Sequence, residues 1–205
     1  ERITAGAGAG LGELLKTAVK ESLSGLEFTI GIPGTAGGAV AMNAGITGKS
    51  MSGIIEKVKV ITEDGGIREF QAYELFWGYR ETTIRQKGYI VLETIFKLSK
   101  KPMAGIEAEI KERLQHRKQT QPANIHTAGC VFKNPQNDSA GRIIDAVGLK
   151  GKSVGKVEVS SKHANFSINY CESASDALAL IEAIKTEVKN KTGLALELEL
   201  VVLGE

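Results

Sequence analysis

The sequence predicts an α+β chain built in two parts, and three observations carry that prediction. Short alternating apolar stretches bounded by turn residues predict strands, and longer stretches with apolar residues at helical spacing predict helices. Residues 100–123 are charged and punctuated by proline, a composition that reads as a helix and linker joining the two parts. The expected division is 1–101, then the helix and linker 102–123, then 124–205.

Taken in order, the chain opens on Glu1-Arg2-Ile3-Thr4, strand-like and without Met, and alternates Ala with Gly from Ala5 to Gly10. In residues 11–24, Leu11, Leu14, Leu15, Ala18, Val19 and Leu23 recur at helical spacing, with Gly25 expected to stop the helix. Residues 31–45 read GIPGTAGGAVAMNAG and carry no charge. Glycine loses the most freedom on folding, so such a run is expected as a loop where backbone approaches something closely. Its N–H groups would converge on an anion such as a diphosphate, or it is a tightly packed loop with no ligand. The spacing matches neither a Gly-Lys-Ser/Thr phosphate loop nor Gly-x-Gly-x-x-Gly.

Ile54 to Thr62 alternates as a strand, Glu63-Asp64-Gly65-Gly66 turns, and Ile67 to Ala72 returns as a hairpin. Tyr89 to Leu98 is a third strand, rich in β-branched residues and broken by Ser99-Lys100-Lys101-Pro102. Residues 105–118 form a charged helix, and Gln119 to Ala123 a linker. Cys130-Val131-Phe132 is a short strand running into Lys133-Asn134-Pro135. Asp138 or Ser139 caps a helix with Ile143, Ile144 and Val147 inward. Val157 to Val159 and Ala164 to Tyr170 are expected strands. Ser173-x-x-Asp176 starts a helix in the manner of a capping box. Its apolar face is Ala177, Leu180, Ile181, Ile184 and Val188, and Gly193 ends it. Finally Leu194, Leu196, Leu198 and Leu200 alternate with Ala195, Glu197, Glu199 and Val201 as a half-buried strand.

Composition narrows the function. The 205 residues carry 26 Lys and Arg against 24 Asp and Glu, without a basic stripe, which argues against nucleic acid. No signal peptide or bilayer-length apolar run is evident. Cys130 and Cys171 make neither a metal spacing nor a disulfide framework, so a reducing cytoplasm and no metal are expected.

Four features bear on chemistry, each with a structural alternative. Arg80, in Gly78-Tyr79-Arg80, offers a guanidinium suited to a carboxylate or phosphate, though most arginines are merely solvated. Cys130 carries a thiol that at an ordinary pKa of about 8.5 is mostly protonated at neutral pH. It can donate a proton, or simply fill core space. Lys133 and Asn134 add donors beside it. By strand parity Glu199 shares a solvent face with Glu197, and His163 reads as a strand-end contact.

Together these segments resemble the UDP-N-acetylenolpyruvoylglucosamine reductase (MurB) family of flavoenzymes. The resemblance rests on Gly25-Leu26-Glu27-Phe28, Gly31 to Gly45, Gly78-Tyr79-Arg80, Ala128 to Pro135, Ser161-Lys162-His163-Ala164-Asn165-Phe166 and Leu196-Glu197-Leu198-Glu199, in order along almost the whole chain. It implies part of an FAD-binding domain of the vanillyl-alcohol-oxidase type, followed by a smaller α+β substrate-binding domain. It further implies that hydride from NADPH reduces an enolpyruvyl double bond by way of FAD, giving UDP-N-acetylmuramate for peptidoglycan precursor synthesis. The carried-over catalytic residues are Arg80, Cys130 as proton donor where many members have Ser, and Glu199. Cofactor contacts are expected at Gly31, Ile32, Pro33, Gly34, Thr35, Gly37, Gly38, Asn43 and Gly45, and substrate contacts at Tyr79, Lys133, Asn134 and His163. The short stretch from Arg80 to Tyr89 resembles the family form without a long tyrosine-bearing loop.

The resemblance also implies a monomeric oxidoreductase of the cytoplasm. The family's N-terminal flavin lobe has no match here, so the expectation for the 205-residue chain is weak FAD affinity and little turnover. Two other readings stand beside this one: an FAD-linked oxidase using another acceptor, and a noncatalytic UDP-sugar binding remnant.

Overall fold

Alternation in the first part builds an antiparallel sheet of four strands, Arg2–Gly6, Ile90–Lys97, Ile55–Ile61 and Ile67–Gln71 in spatial order. One face buries Val58, Val60, Val91 and Phe96. The helix Leu11–Lys20 adds Leu11, Leu14, Leu15 and Ala18 to the same core, as the spacing predicts. This computed structural model describes residues 1–123, 125–170 and 173–204. It divides into two compact units, Glu1–Gln115 and His116–Glu205. Cys171 lies outside the described residues.

Three local expectations for the first unit need correction. The first helix ends at Lys20 rather than near Gly25, because Ser22 turns the chain at φ 55. Leu23–Ser24 then pairs with Ser99–Lys100, so the segment expected only to break a strand is itself paired. Leu23 is buried as its spacing suggested, but a tertiary partner for its backbone outweighs helix continuation. Gly25 has φ 134, and a Cβ there would lie 3.0 Å from a Leu98 methyl. The third correction concerns the glycine-rich run, of which Ala36–Ala41 forms a helix rather than loop. Thr35 caps it, and Ala36, Ala39 and Val40 are buried. Gly37 lets it approach residue 7 so closely that a Cβ would stand 2.7 Å from that of Ala7.

The helix Met103–Thr120 spans and extends the expected one. Ile106 is buried, and Glu109 accepts from Lys49, Lys101 and Arg113 at 2.7–3.0 Å. These cations hold the Glu109 carboxyl at about 2, well below its ordinary range.

In the second unit, Ser153–Val154, Val157–Val159 and Ser167–Asn169 form an antiparallel sheet in that order. The helices Ala140–Ala146 and Ala174–Thr192 contribute Ile143, Ile144, Leu180, Ile184 and Val188 to its core. Ser139 is the cap of the first and Ser173 of the second, and Gly193 takes the left-handed conformation that ends the second. The expected strand from Ala164 shrinks to three residues, because Ser160 to Phe166 closes a turn through Ser160 N–H to Phe166 O and Phe166 N–H to His163 O. The half-buried strand expected over 194–201 is not regular either, and pairs only around Leu198. Among the described residues no helix is long and apolar enough to cross a membrane, and no cluster of His, Cys, Asp and Glu is arranged to hold a metal.

Candidate functional site

In the first unit, the Ala-Gly run of residues 5–10 and the glycine-rich run come together. Leu11 N–H donates to Gly34 O and Ala36 N–H to Ala9 O, which makes Gly10 and Thr35 a bridge pair. In that pairing both residues direct their own N–H groups outward. Gly37 N–H donates to Ala7 O and Gly38 N–H to Thr35 Oγ1. Donors expected to await an anion at Ala36, Gly37 and Gly38 are therefore already used inside the protein. What remains is bare backbone: a Cβ built at Gly8, Gly10 or Gly34 meets no atom within 4 Å. A side chain at any of these would cover the surface. The arrangement fits a flat, extended group laid against backbone, with Gly10 and Thr35 N–H at its edge.

Beyond the glycine helix, Trp77–Gly78 and Glu81–Thr82 pair as a tight hairpin with Tyr79 and Arg80 at its tip. Arg80 has φ 58, unusual for a residue with a side chain. Its Nη2 donates to Gly45 O at 3.1 Å, and its guanidinium lies 4.9 Å from the Tyr79 ring centre. Gly45 is obligatory, since a Cβ would fall 2.4 Å from Lys49 O. Asn43 is buried, and its side chain bonds Gly78 O and Ser52 N–H.

In the second unit Cys130 is half-buried and bridges Phe166. Asn165 fixes Phe132, two residues on, from both sides: Phe132 N–H donates to Asn165 Oδ1 at 2.9 Å, and Asn165 Nδ2 donates to Phe132 O at 2.8 Å. On the other flank, Lys133 N–H donates to Glu197 O and Glu199 N–H to Val131 O. Leu200 N–H reaches the same Val131 carbonyl at 3.5 Å. Two successive donors on one carbonyl mark a β-bulge, a device that re-aims side chains. Just before this irregularity the two glutamates differ: Glu197 is exposed and paired with Lys133, whereas Glu199 is half-buried. Cys130 and Glu199 thus lie on adjoining paired segments, while Arg80 belongs to the first unit.

Comparison with known proteins finds one family match inside each unit. Residues 1–71 match an FAD binding domain, and residues 121–203 match the C-terminal domain of UDP-N-acetylenolpyruvoylglucosamine reductase. The chain is 43% identical over 205 residues to the UDP-N-acetylenolpyruvoylglucosamine reductase of Streptococcus pneumoniae strain CGSP14, covering 99% of this chain and 68% of the relative. The chain belongs to the UDP-N-acetylenolpyruvoylglucosamine reductase family. The Desulforamulus reducens reductase is 43% identical over 204 residues, covering 99% of this chain and 67% of its own length. The crystal structure of the reductase (MurB) from Thermus caldophilus superposes with a TM-score of 0.85 at 39% identity, covering 96% of this chain and 71% of that one.

Within this reductase framework the other expected contacts take definite places. Asn134 Oδ1 accepts from Ala140 N–H, helping to start the Ala140–Ala146 helix. The His163 ring meets Phe166 edge-on at 4.8 Å, and its Nδ1 accepts from Asn165 N–H. Burial lowers the His163 pKa, which favours the neutral ring. Four residues escaped the sequence reading. Gly8 and Gly10 were signalled by the Ala-Gly alternation, but nothing in it named a partner strand. Asn165 stood inside a quoted motif without a role. Arg117 is one of many cations on its helix; burial lowers its pKa, and its interaction with the nearby Cys130 side chain opposes that shift.

Proposed function

We propose that this chain catalyses the reaction of its family, reducing the enolpyruvyl double bond of UDP-N-acetylglucosamine enolpyruvate to UDP-N-acetylmuramate with NADPH. The observation that carries the reading is the half-buried Cys130, held by Asn165 beside the bulged Glu199 segment, in a chain of this family. FAD, when bound, supplies the relay of hydride from NADPH to the substrate. Gly8, Gly10, Gly34 and Thr35 would hold it, with Gly31, Ile32, Pro33 and Gly45 nearby in the same run. Gly37, buried against Ala7, and Gly38 would offer it no donor, since their N–H groups are spent inside the protein.

Hydride added at the substrate methylene leaves negative charge on the neighbouring carbon and its carboxylate. The Arg80 guanidinium offsets that charge, and Glu199 would add a hydrogen bond to it when its carboxyl carries a proton. Cys130 then gives its thiol proton to the neighbouring carbon, and solvent restores the thiol. Each turnover consumes one hydride and one proton. Tyr79, Lys133, Asn134 and His163 would contact the nucleotide-sugar. The product class fits peptidoglycan precursor synthesis, and a cytoplasmic location and a monomeric state are part of the same proposal.

Stopped-flow spectroscopy of the FAD-loaded protein separates the two halves. Cys130→Ala keeps flavin reduction by NADPH but loses olefin reduction by roughly 10²–10⁴-fold, the usual worth of a positioned acid. Cys130→Ser retains much of it. Unimpaired product formation in Cys130→Ala contradicts the assignment.

A further inference from the structure

We infer that Asn43 is a positioning residue for Arg80, acting with Thr82 to clamp the catalytic turn onto the end of the glycine-rich helix. The inference rests on the role proposed for Arg80. The helix Ala36–Ala41 ends with Ala44 N–H on Ala39 O and Asn43 N–H on Val40 O. That is the double closure of a Schellman motif, and Asn43 is its left-handed residue at φ 43. Asparagine tolerates that backbone and brings a side chain that glycine lacks.

The side chain bonds through both its oxygen and its nitrogen, in one orientation. Ser52 N–H needs an acceptor, so it faces Oδ1 at 3.0 Å; Gly78 O needs a donor, so it faces Nδ2 at 2.8 Å. Both partners are backbone atoms of fixed polarity, which removes the usual ambiguity of an amide. Gly78 is the residue that enters the Tyr79-Arg80 turn. On the far side of the turn, the fully buried Thr82 donates from Oγ1 to Ala41 O at 2.6 Å, closing a carbonyl that the helix end leaves open. Arg80 itself reaches Gly45 O, just beyond Asn43. Three bonds from both arms and the tip of the hairpin therefore converge on residues 41–45. Such over-determination is what holds a non-glycine residue at positive φ.

The test combines amide hydrogen exchange with the two half-reactions. Asn43→Asp keeps the backbone tolerance and the acceptor for Ser52 but removes the donor to Gly78 O. In the ligand-free protein it is expected to speed exchange of the Tyr79 to Thr82 amides at least tenfold. In the FAD-loaded protein it lowers olefin reduction at least tenfold more than flavin reduction. Should Asn43→Asp fold poorly, Thr82→Val reads the same clamp, and Thr82→Ser restores both signals. Unchanged exchange in the turn, or an equal fall in both half-reactions, overturns the inference. Arg80→Lys serves as the reference: intact olefin reduction there refutes the role of Arg80, while the exchange data still decide the clamp.

Discussion

The two units hold their candidate catalytic residues by opposite means. In the first, Arg80 sits on a strained two-residue turn, fastened by side chains to the end of a neighbouring helix. In the second, Cys130 and Glu199 ride on short, irregular pairings, and one buried amide, Asn165, takes the place of a ladder. Regular sheet and helix form the cores, yet each of these residues lies just outside regular structure. The difference teaches where each unit is vulnerable: the first loses geometry locally, whereas the second loses geometry and stability together.

Asn165→Leu breaks the second arrangement most severely. It leaves Phe132 N–H and O buried without partners, at a cost of roughly 2–4 kcal/mol, read by chemical denaturation. Olefin reduction falls with it, because Cys130 is two residues away. Wild-type stability in this variant means that the amide bracket is not what holds the Cys130 segment.

Glu109 sharpens the contrast, because it anchors the long helix in the first unit through ions rather than amides. Glu109→Gln is expected to cost roughly 1–2 kcal/mol after allowance for solvent screening. A folded value of about 2 against an ordinary 4.5 fixes the sign with pH. The stabilisation is complete above about 4.5 and fades as pH falls toward 2. Acid titration of the wild type and variant should therefore converge at the low end.

The smallest effect is at Thr94, whose hydroxyl is buried on the central strand with no hydrogen-bond partner. Thr94→Val keeps the shape and removes the orphan, so stability stays level or rises by about 1 kcal/mol. A marked loss means that the hydroxyl has a role these contacts do not reveal.

How much of this was legible depends on whether local pattern and tertiary partner agree. The hairpin at 54–72 was legible, because its alternation and the Gly65-Gly66 turn both point the same way. So was the Ser139-capped helix. Leu23 was misread because its spacing suits the helix while its backbone finds Ser99–Lys100. The glycine-rich run hid a helix, because the gain comes from packing on Ala7, far away in sequence. Strand parity misplaced Glu199 because residues 194–201 form no regular strand, and nothing in their alternation marks that. Motif resemblance pointed to Arg80, Cys130 and Glu199; it did not reveal Asn165 or the coupling of Asn43 to the turn.

The central claim is that bare glycine backbone in the first unit receives FAD. Gly10 offers a clean test, since its φ of −65° suits any residue and a Cβ there meets nothing within 4 Å. Titration of FAD by flavin fluorescence into the wild type and Gly10→Val, with melting curves for both, reads the surface directly. Saturable binding is expected, weakening at least tenfold in Gly10→Val while the melting temperature holds. Equal affinity in the two proteins would contradict that claim.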